Sequence, residues 1–569
     1  MTDIIISAGV SSGGFTLNDG VTLSVYGTGT NVTVSSGGAE YVYAGGSAVS
    51  MTVSSGGNEY VSSGGIATGT TVSTGGNDYV YSGGSAVSAM AVDGGVLAVN
   101  AGGAASYITA TDNGDVFVFT ATVDNTLLSN GGNLNVDGGG SAVSTTISSG
   151  GTEYVYSGGT AISTTADGGG TFAGAGINVR SGATASYTTL SDGGYENISG
   201  SGAVAFSTTI ASGGYDTVSS GGTAISTTVS VNAMEQVFGG TASYTTLSSG
   251  LEYVASGGTT ISNTVDPGGT ESVFSSGTAS FTQVSSEGAL YAGSGGTLVS
   301  TTVFDLGYDY VSGGTASYTQ VSSGGFEYVS SGGSAVSTTV SSGGNQTLIS
   351  GGTASFTTLS GNAQQYSDPG GTTVSTTLRD SSEEFVNTGT ASYTTVSNGA
   401  SENIGYLGVA SFTQVSSGGN EYVYTGGVAL STTVLSGGTE TVNSGGVASF
   451  TAISNGAYQY IYSGGSAVST TVSGGGTQNV NNGGATSFTS IFDDGNENIG
   501  SGAIASYTIV SNGGGLNVFS SGTTSFTTVS SGGTEFVNSS GTAVSTTVDS
   551  GGFQVVSGSD ATASFTVLS

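Results

Sequence analysis

The feature that most constrains this chain is a period. Val415, Val434, Ile453, Val472, Ile491, Val510 and Val529 follow one another at steps of 19 residues. A second apolar column, Val423, Val442, Ile461, Val480 and Ile499, keeps the same step. So do the glycine pairs Gly426-Gly427, Gly445-Gly446, Gly464-Gly465 and Gly483-Gly484. A fixed short period marks a stacked architecture, in which a unit buries its apolar residues only against its neighbours. Nineteen residues are too few for a helix pair or a propeller blade, and suit one coil of a β-solenoid.

The first column runs from Val34, Val53 and Val72 through Ile147, Ile210, Val229, Val284, Val303, Val340 and Leu359 to Val548 and Leu568. This predicts an all-β fold, a parallel β-helix or β-solenoid with about 29 coils of about 19 residues. Residues 1–33 read as an N-terminal β-rich edge segment and 34–569 as a continuous solenoid. An irregularity at 167–189, where the step from Ala166 to Leu190 is 24, reads as a loop or bulge. Paired glycines turn the corners, because glycine takes positive φ without a steric penalty. In a sample unit, residues 428–436 read as the longer strand and 439–444 as the shorter. Coils stacked at about 4.8 Å would make a rod about 140 Å long. No apolar pattern at helical spacing is present.

The charge balance excludes several functions. There are 36 acidic residues against two basic ones, Arg180 and Arg379. Binding to a phosphate backbone needs Lys and Arg, so nucleic acid is excluded as a partner, and docking on anionic lipid is disfavoured. A formal charge of −34 favours solubility and repulsion between copies. No apolar run approaches the length of a membrane-spanning helix. The N-terminus, Met1-Thr-Asp-Ile-Ile-Ile-Ser, carries no secretory signal pattern.

Catalytic constellations are not visible. The chain has no His and no Cys, which removes the usual general base, the thiol nucleophile and the common transition-metal ligands. The reading is therefore non-enzymatic, with no catalytic, cofactor-binding or metal residue assigned and no cofactor. The glycine pairs recur at fixed corners and precede no helix, so they are not phosphate loops. Carboxylates do repeat at one strand position: Glu40, Glu59, Asp78, Glu153, Glu421, Glu440 and Glu497, with Gln459 and Gln478 between. The expectation is a solvated acidic face. Calcium is the alternative, since stacked carboxylates repel and calcium takes oxygen ligands; the candidate cluster is Asp493, Asp494, Asn496 and Glu497.

Three residues before the first column, large and small side chains alternate: Phe412, Ser431, Phe450, Ser469, Phe488. Phe488, Tyr507 and Phe526 then follow in consecutive coils, and Ser545 and Phe565 resume the alternation. Large-over-small packing inside the core is the expectation. The alternative is an outward aromatic ladder for glycan or self-contact.

At these residues the chain resembles the AIDA-type repeats of bacterial autotransporter adhesin passengers. The segments SGGSAVSTTVSSGGNQTLISGGTASFTTL (331–359) and TGGVALSTTVLSGGTETVNSGGVASFTAI (425–453) carry the resemblance. It implies a right-handed β-helix at the bacterial surface, in a family associated with autoaggregation, biofilm formation, attachment to host surfaces and glycosylation of repeat Ser and Thr. The expected function is a structural or adhesive solenoid, extracellular or on the bacterial cell surface, whose partner is itself. No cap is visible at either end, which reads either as a fragment of a longer protein or as open ends that join; end-to-end joining into a filament or biofilm matrix is the expected assembly. The alternative is an autotransporter adhesin passenger that binds a host or glycan ligand.

Overall fold

The computed structural model describes residues 3–170, 174–500 and 502–569. Among these the regular structure is all strand, with no helix. The chain divides into two compact units, Met1–Gln283 and Val284–Ser569. Each is a parallel β-solenoid built from the same coil, about 30 coils in all.

A coil contributes one strand to each of three sheets. In the second unit one coil runs Asn420–Val423, Val428–Leu430 and Thr433–Val434. The next coil lies in register 19 residues on, pairing Glu421 with Glu440, Ala429 with Ala448 and Val434 with Ile453. In the first unit Asn58–Val61, Ile66–Thr68 and Thr71–Val72 form the equivalent coil, with Glu59 beside Asp78 and Ala67 beside Ala86. The first strand of each coil, of four or five residues, belongs to sheet 1, the next to sheet 2 and the last to sheet 3.

This corrects the expectation of one long strand over 428–436. The segment is two strands broken at Ser431, whose φ is 59°. A left-handed residue turns the chain there, so Ala429 and Thr432 both point inward although an unbroken strand would place them on opposite faces. The core of each unit is the stack of Val, Ile, Leu and Ala columns, nearly all fully buried. Both apolar columns of the sequence, from Val415 and from Val423, lie inside it.

The glycine pair has two separate jobs. Gly464 takes a φ of 76°, and a Cβ on Gly465 would stand 2.6 Å from the carbonyl oxygen of Val442 in the preceding coil. The first glycine makes the turn; the second lets the coils approach. In the lengthened coil, Thr165–Asp167 still pairs with Thr189–Ser191, and Gly176–Val179 with Tyr195–Ile198. The added residues therefore fall between Asp167 and Gly176, of which 171–173 lie outside the described residues. At the N-terminal side Asp3–Ile6 already pairs with Thr22–Val25, and Ser11–Gly13 with Thr28–Thr30.

Candidate functional site

The repeated carboxyl groups do not form a solvated face. Glu40, Glu59, Asp78, Glu153, Glu421, Glu440 and Glu497 are all fully buried, on the inner side of sheet 1. The column continues through Glu196, Asp216, Glu235, Glu252, Glu271, Asp309, Glu327, Glu384, Glu402 and Glu535, equally buried. The cause is strand parity: Glu421 stands two residues before Val423, so both share the core face.

Threonine hydroxyls meet this column from the opposite wall. Thr164 donates to Glu153 at 2.8 Å, Thr413 to Glu402 at 2.8 Å and Thr546 to Glu535 at 2.9 Å, each from 11 residues further on. Glutamines complete the ladder where they replace carboxyls. Gln459 Nε2 donates to Glu440 Oε2 at 2.6 Å, and Gln478 Nε2 to Gln459 Oε1 at 2.7 Å. Not every member is paired: both carboxyl oxygens of Glu40, Asp78 and Asp309 lack a side-chain partner among the described residues.

No cation neutralises the ladder among the described residues; the one ion pair joins Arg379 to its neighbour Asp380, at 3.9 Å on the surface. Burial therefore favours the protonated acids. It pushes Glu59, Glu153, Glu196, Glu235, Glu271, Glu384, Glu440 and Glu497 up from 4.5 to about 7. Glu402, which also feels Glu384, rises to about 8. Protonated carboxyls can both donate and accept, as the ladder's glutamines do.

The proposed calcium cluster is split by the same parity. Glu497 points inward to Thr486 and Thr508 at 2.7 and 3.2 Å, whereas Asp493 and Asp494 stand on an outer corner. Among the described residues no group of three or more acidic side chains is arranged to hold a metal ion.

The aromatic alternation also lies where the core expectation did not put it. Phe412, Phe450 and Phe488 are 53, 63 and 55% exposed. They occupy the bend between sheets 2 and 3, in the position that Ser431 and Ser469 take in alternate coils. Where aromatics follow in adjacent coils their rings stack: Phe488 on Tyr507 and Tyr507 on Phe526, each at 5.0 Å. A second aromatic row, which the sequence reading did not single out, covers the outside of sheet 1. Tyr41, Tyr60 and Tyr79 stack at 4.8 and 5.4 Å, and Tyr291, Tyr310 and Tyr328 at 4.7 and 5.4 Å. The signal was the Glu-Tyr-Val triplet: if Glu and Val face inward, Tyr faces outward.

A recess of about 670 Å³ beside the lengthened coil is lined by Gly170, Gly174, Asp192, Gly193, Tyr195, Gly213 and Tyr215. It offers a single carboxylate, and a pair is what glycoside hydrolysis requires.

Comparison with known proteins gives two informative matches. The family described as adhesin of bacterial autotransporter system, probable stalk, matches residues 121–170 and 498–552. The crystal structure of the TibC-catalysed hyper-glycosylated fragment of TibA is 32% identical, covering 55% of this chain and 99% of that one, with a TM-score of 0.37. A mutant of the PL6 family alginate lyase AlyGC aligns over 100% of both chains at 8% identity and a TM-score of 0.15, values that say nothing about this chain's chemistry. No curated protein sequence matches.

Proposed function

The chain belongs to the AIDA-type family of bacterial autotransporter adhesins, and on that premise we propose that it is a non-catalytic stalk segment that associates with further copies of itself. Membership of the family places it at the cell surface or outside the cell. The observation that supports the finer reading is the bend row. The same exposed ring recurs at one position of many coils, each held at a left-handed φ near 60°. A group repeated along a solenoid makes many weak contacts at once, and linked contacts gain avidity. Catalysis is not supported: the carboxyl groups of the buried column face one another inside the coils, and the recess at Tyr195 offers a single carboxylate among the described residues.

Sedimentation velocity of the purified chain over a concentration series, at about 10 mM and about 500 mM salt, tests this reading. A concentration-dependent increase in mass, stronger at high salt where charge repulsion is screened, is the expected result. A monomer at every concentration and both salts would refute self-association and leave the family assignment intact. A second reading rests on the outward Thr and Ser of sheets 2 and 3, such as Thr339, Thr433 and Thr471. The TibA fragment is hyper-glycosylated, and these hydroxyls are the corresponding acceptors. Mass spectrometry of the chain recovered from its native cell surface would detect the added sugar, and unmodified repeat peptides would count against it.

A further inference from the structure

The bend row of the second unit has the geometry of a comb. Rings stand at Tyr318, Phe356, Tyr393, Phe412, Phe450 and Phe488, and serines at Ser300, Ser337, Ser375, Ser431 and Ser469 fill the coils between. The isolated teeth Tyr318, Phe356 and Phe450 are 61–63% exposed. Teeth in alternate coils are about 9.6 Å apart, twice the strand spacing. The chain shows that such a slot takes one ring, because Tyr507 sits between Phe488 and Phe526 at 5.0 Å from each with interplanar angles of 8 and 10°.

Three further observations bear on what fills the slots. Every tooth is held at a φ of 59–60°, a region that is sterically unfavourable for a bulky L-residue and that serine occupies at the same place in the alternate coils. Backbone strain bearing a solvent-exposed ring is what a binding role, and not folding, would maintain. The strip is also free of charge. From Thr297–Val303 to Ala485–Ile491, no coil carries an acidic or basic residue in sheets 2 and 3 or the bend between them, in a chain with a formal charge of −34. Two copies can meet here without opposing like charges. Finally, the slots are apolar at the side: Val336, Val374, Leu430 and Val468 each precede the serine and pair with the serine that precedes a ring. An aromatic side chain carries roughly 150–250 Å², so six teeth with their flanking valines expose about 700 Å², close to the ~800 Å² per partner of a stable interface.

The order of the teeth selects an orientation. They alternate with serine on either side of the adjacent pair Tyr393 and Phe412. A two-fold axis at the Tyr393 coil sends Phe412 to the slot at Ser375, Phe356 to Ser431, Phe450 to Ser337, Tyr318 to Ser469 and Phe488 to Ser300. We propose that a second copy of this chain docks antiparallel on the bend row about a two-fold axis at Tyr393, where the two Tyr393 rings meet, and that the five other rings of each copy enter the serine slots of the other. This rests on the self-association reading above and gives it a surface and a symmetry; an isologous contact of this kind closes as a dimer.

The test uses the full chain and two reciprocal variants. The triple substitution Phe356→Ser, Phe412→Ser and Phe450→Ser removes teeth with the residue that alternate coils already carry, so circular dichroism and melting temperature stay as in the parent. Dimer affinity should fall at least about tenfold, as expected when interface anchors are lost. The opposite triple, Ser337→Phe, Ser375→Phe and Ser431→Phe, fills slots in the manner of Phe488, Tyr507 and Phe526. It adds apolar surface and should nevertheless abolish the dimer. Tyr393→Cys introduces the only thiol and should cross-link to itself in the dimer with a short bis-maleimide, whereas Phe565→Cys should not. A slot-filled variant that dimerises as tightly as the parent overturns the proposal. So does a parent dimer that the tooth-removing triple leaves unchanged, although self-association would then stand. A parent that stays monomeric, with ring fluorescence that responds to cellohexaose, overturns both and assigns the comb to a sugar.

Discussion

Stability of this chain should fall as the pH rises through neutrality, the reverse of the acid sensitivity usual for carboxylate-rich proteins. The ladder is the reason. In the unfolded chain its carboxyls ionise near 4.5, while in the folded coils burial holds eight of them to about 7 and Glu402 to about 8. Between these values the folded state binds protons that the unfolded state has released, so stability declines with pH. The contribution is complete below about 4.5, declines from there to about 7 and is gone above about 8. A rise from 4.5 to about 7 is worth ~3 kcal/mol per group at 1.4 kcal/mol per pH unit.

Glu402 shows what the ionised ladder must bear. The groups facing it are Glu384 and Glu421 in the adjoining coils and the hydroxyls of Thr394 and Thr413, with no cation among them. Neighbouring carboxyls about 4.8 Å apart titrate as a coupled set, so loss should be gradual and spread over coils. The assay is urea unfolding followed by circular dichroism between pH 5 and 9, on the parent and on Glu402→Gln, Glu421→Gln and Glu440→Gln together. Gln346, Gln365, Gln459 and Gln478 show that the ladder takes carboxamides, with Gln365 Nε2 2.5 Å from Gln346 Oε1. At pH 5 the triple variant should differ from the parent by no more than about 2 kcal/mol, because the unfolded carboxyls have only begun to ionise. At pH 8 it should be more stable, with ~3 kcal/mol from Glu440 alone. A parent whose urea midpoint is flat from pH 5 to 9, or a variant equally destabilised at both ends, would refute the reasoning.

Other expectations concern single positions. Asp216→Glu supplies a methylene that lengthens the side chain toward Thr227, 11 residues further on as in the other Glu–Thr pairs; at pH 5 it should raise the unfolding free energy by about 1 kcal/mol. Gly465→Ala drives a Cβ to 2.6 Å from the Val442 carbonyl oxygen, and calorimetry should show destabilisation beyond ~2 kcal/mol. Calcium at millimolar level, or chelator, should leave the melting temperature unchanged, because Glu497 is turned away from Asp493 and Asp494. A calcium-dependent rise of several degrees would show that the corner carboxylates suffice.

The coil and its columns were legible because the period is strict: residues such as Val415 and Val434 repeat at a step that no helical or bladed unit matches. The inward course of the carboxyls was legible in principle too. Glu421 and Val423 are two apart, so placing Val423 in the core already placed Glu421 there. The general rule that acids stay in water outweighed strand parity, and it fails here because threonines, glutamines and protonation satisfy the buried acids. The bend at Ser431 was not legible, since serine takes left-handed φ without announcing it. With the bend unseen, parity could not decide whether Phe412 faced in or out.

The ladder and the comb are coupled through charge. Burial raises sixteen of the 36 acids, all in the buried column, so where they keep their protons the chain carries roughly half its formal charge. Lowering the pH from 8 to 6 therefore does two things at once: it stabilises the coils, and it lowers the repulsion between two copies approaching along an uncharged strip. Association through the bend row should strengthen over that interval, with a weaker pH response at high salt, where repulsion is already screened. The triple substitution Glu402→Gln, Glu421→Gln and Glu440→Gln separates the two effects, because it removes ladder charge at every pH and leaves each tooth and slot in place. Its dimer affinity at pH 8 should exceed that of the parent at pH 8 by the share of the repulsion that three ladder charges carry, and should stay below that of the parent at pH 6. An affinity at pH 8 that is identical in the parent and the triple would show that surface carboxylates, and not the buried ladder, govern the encounter.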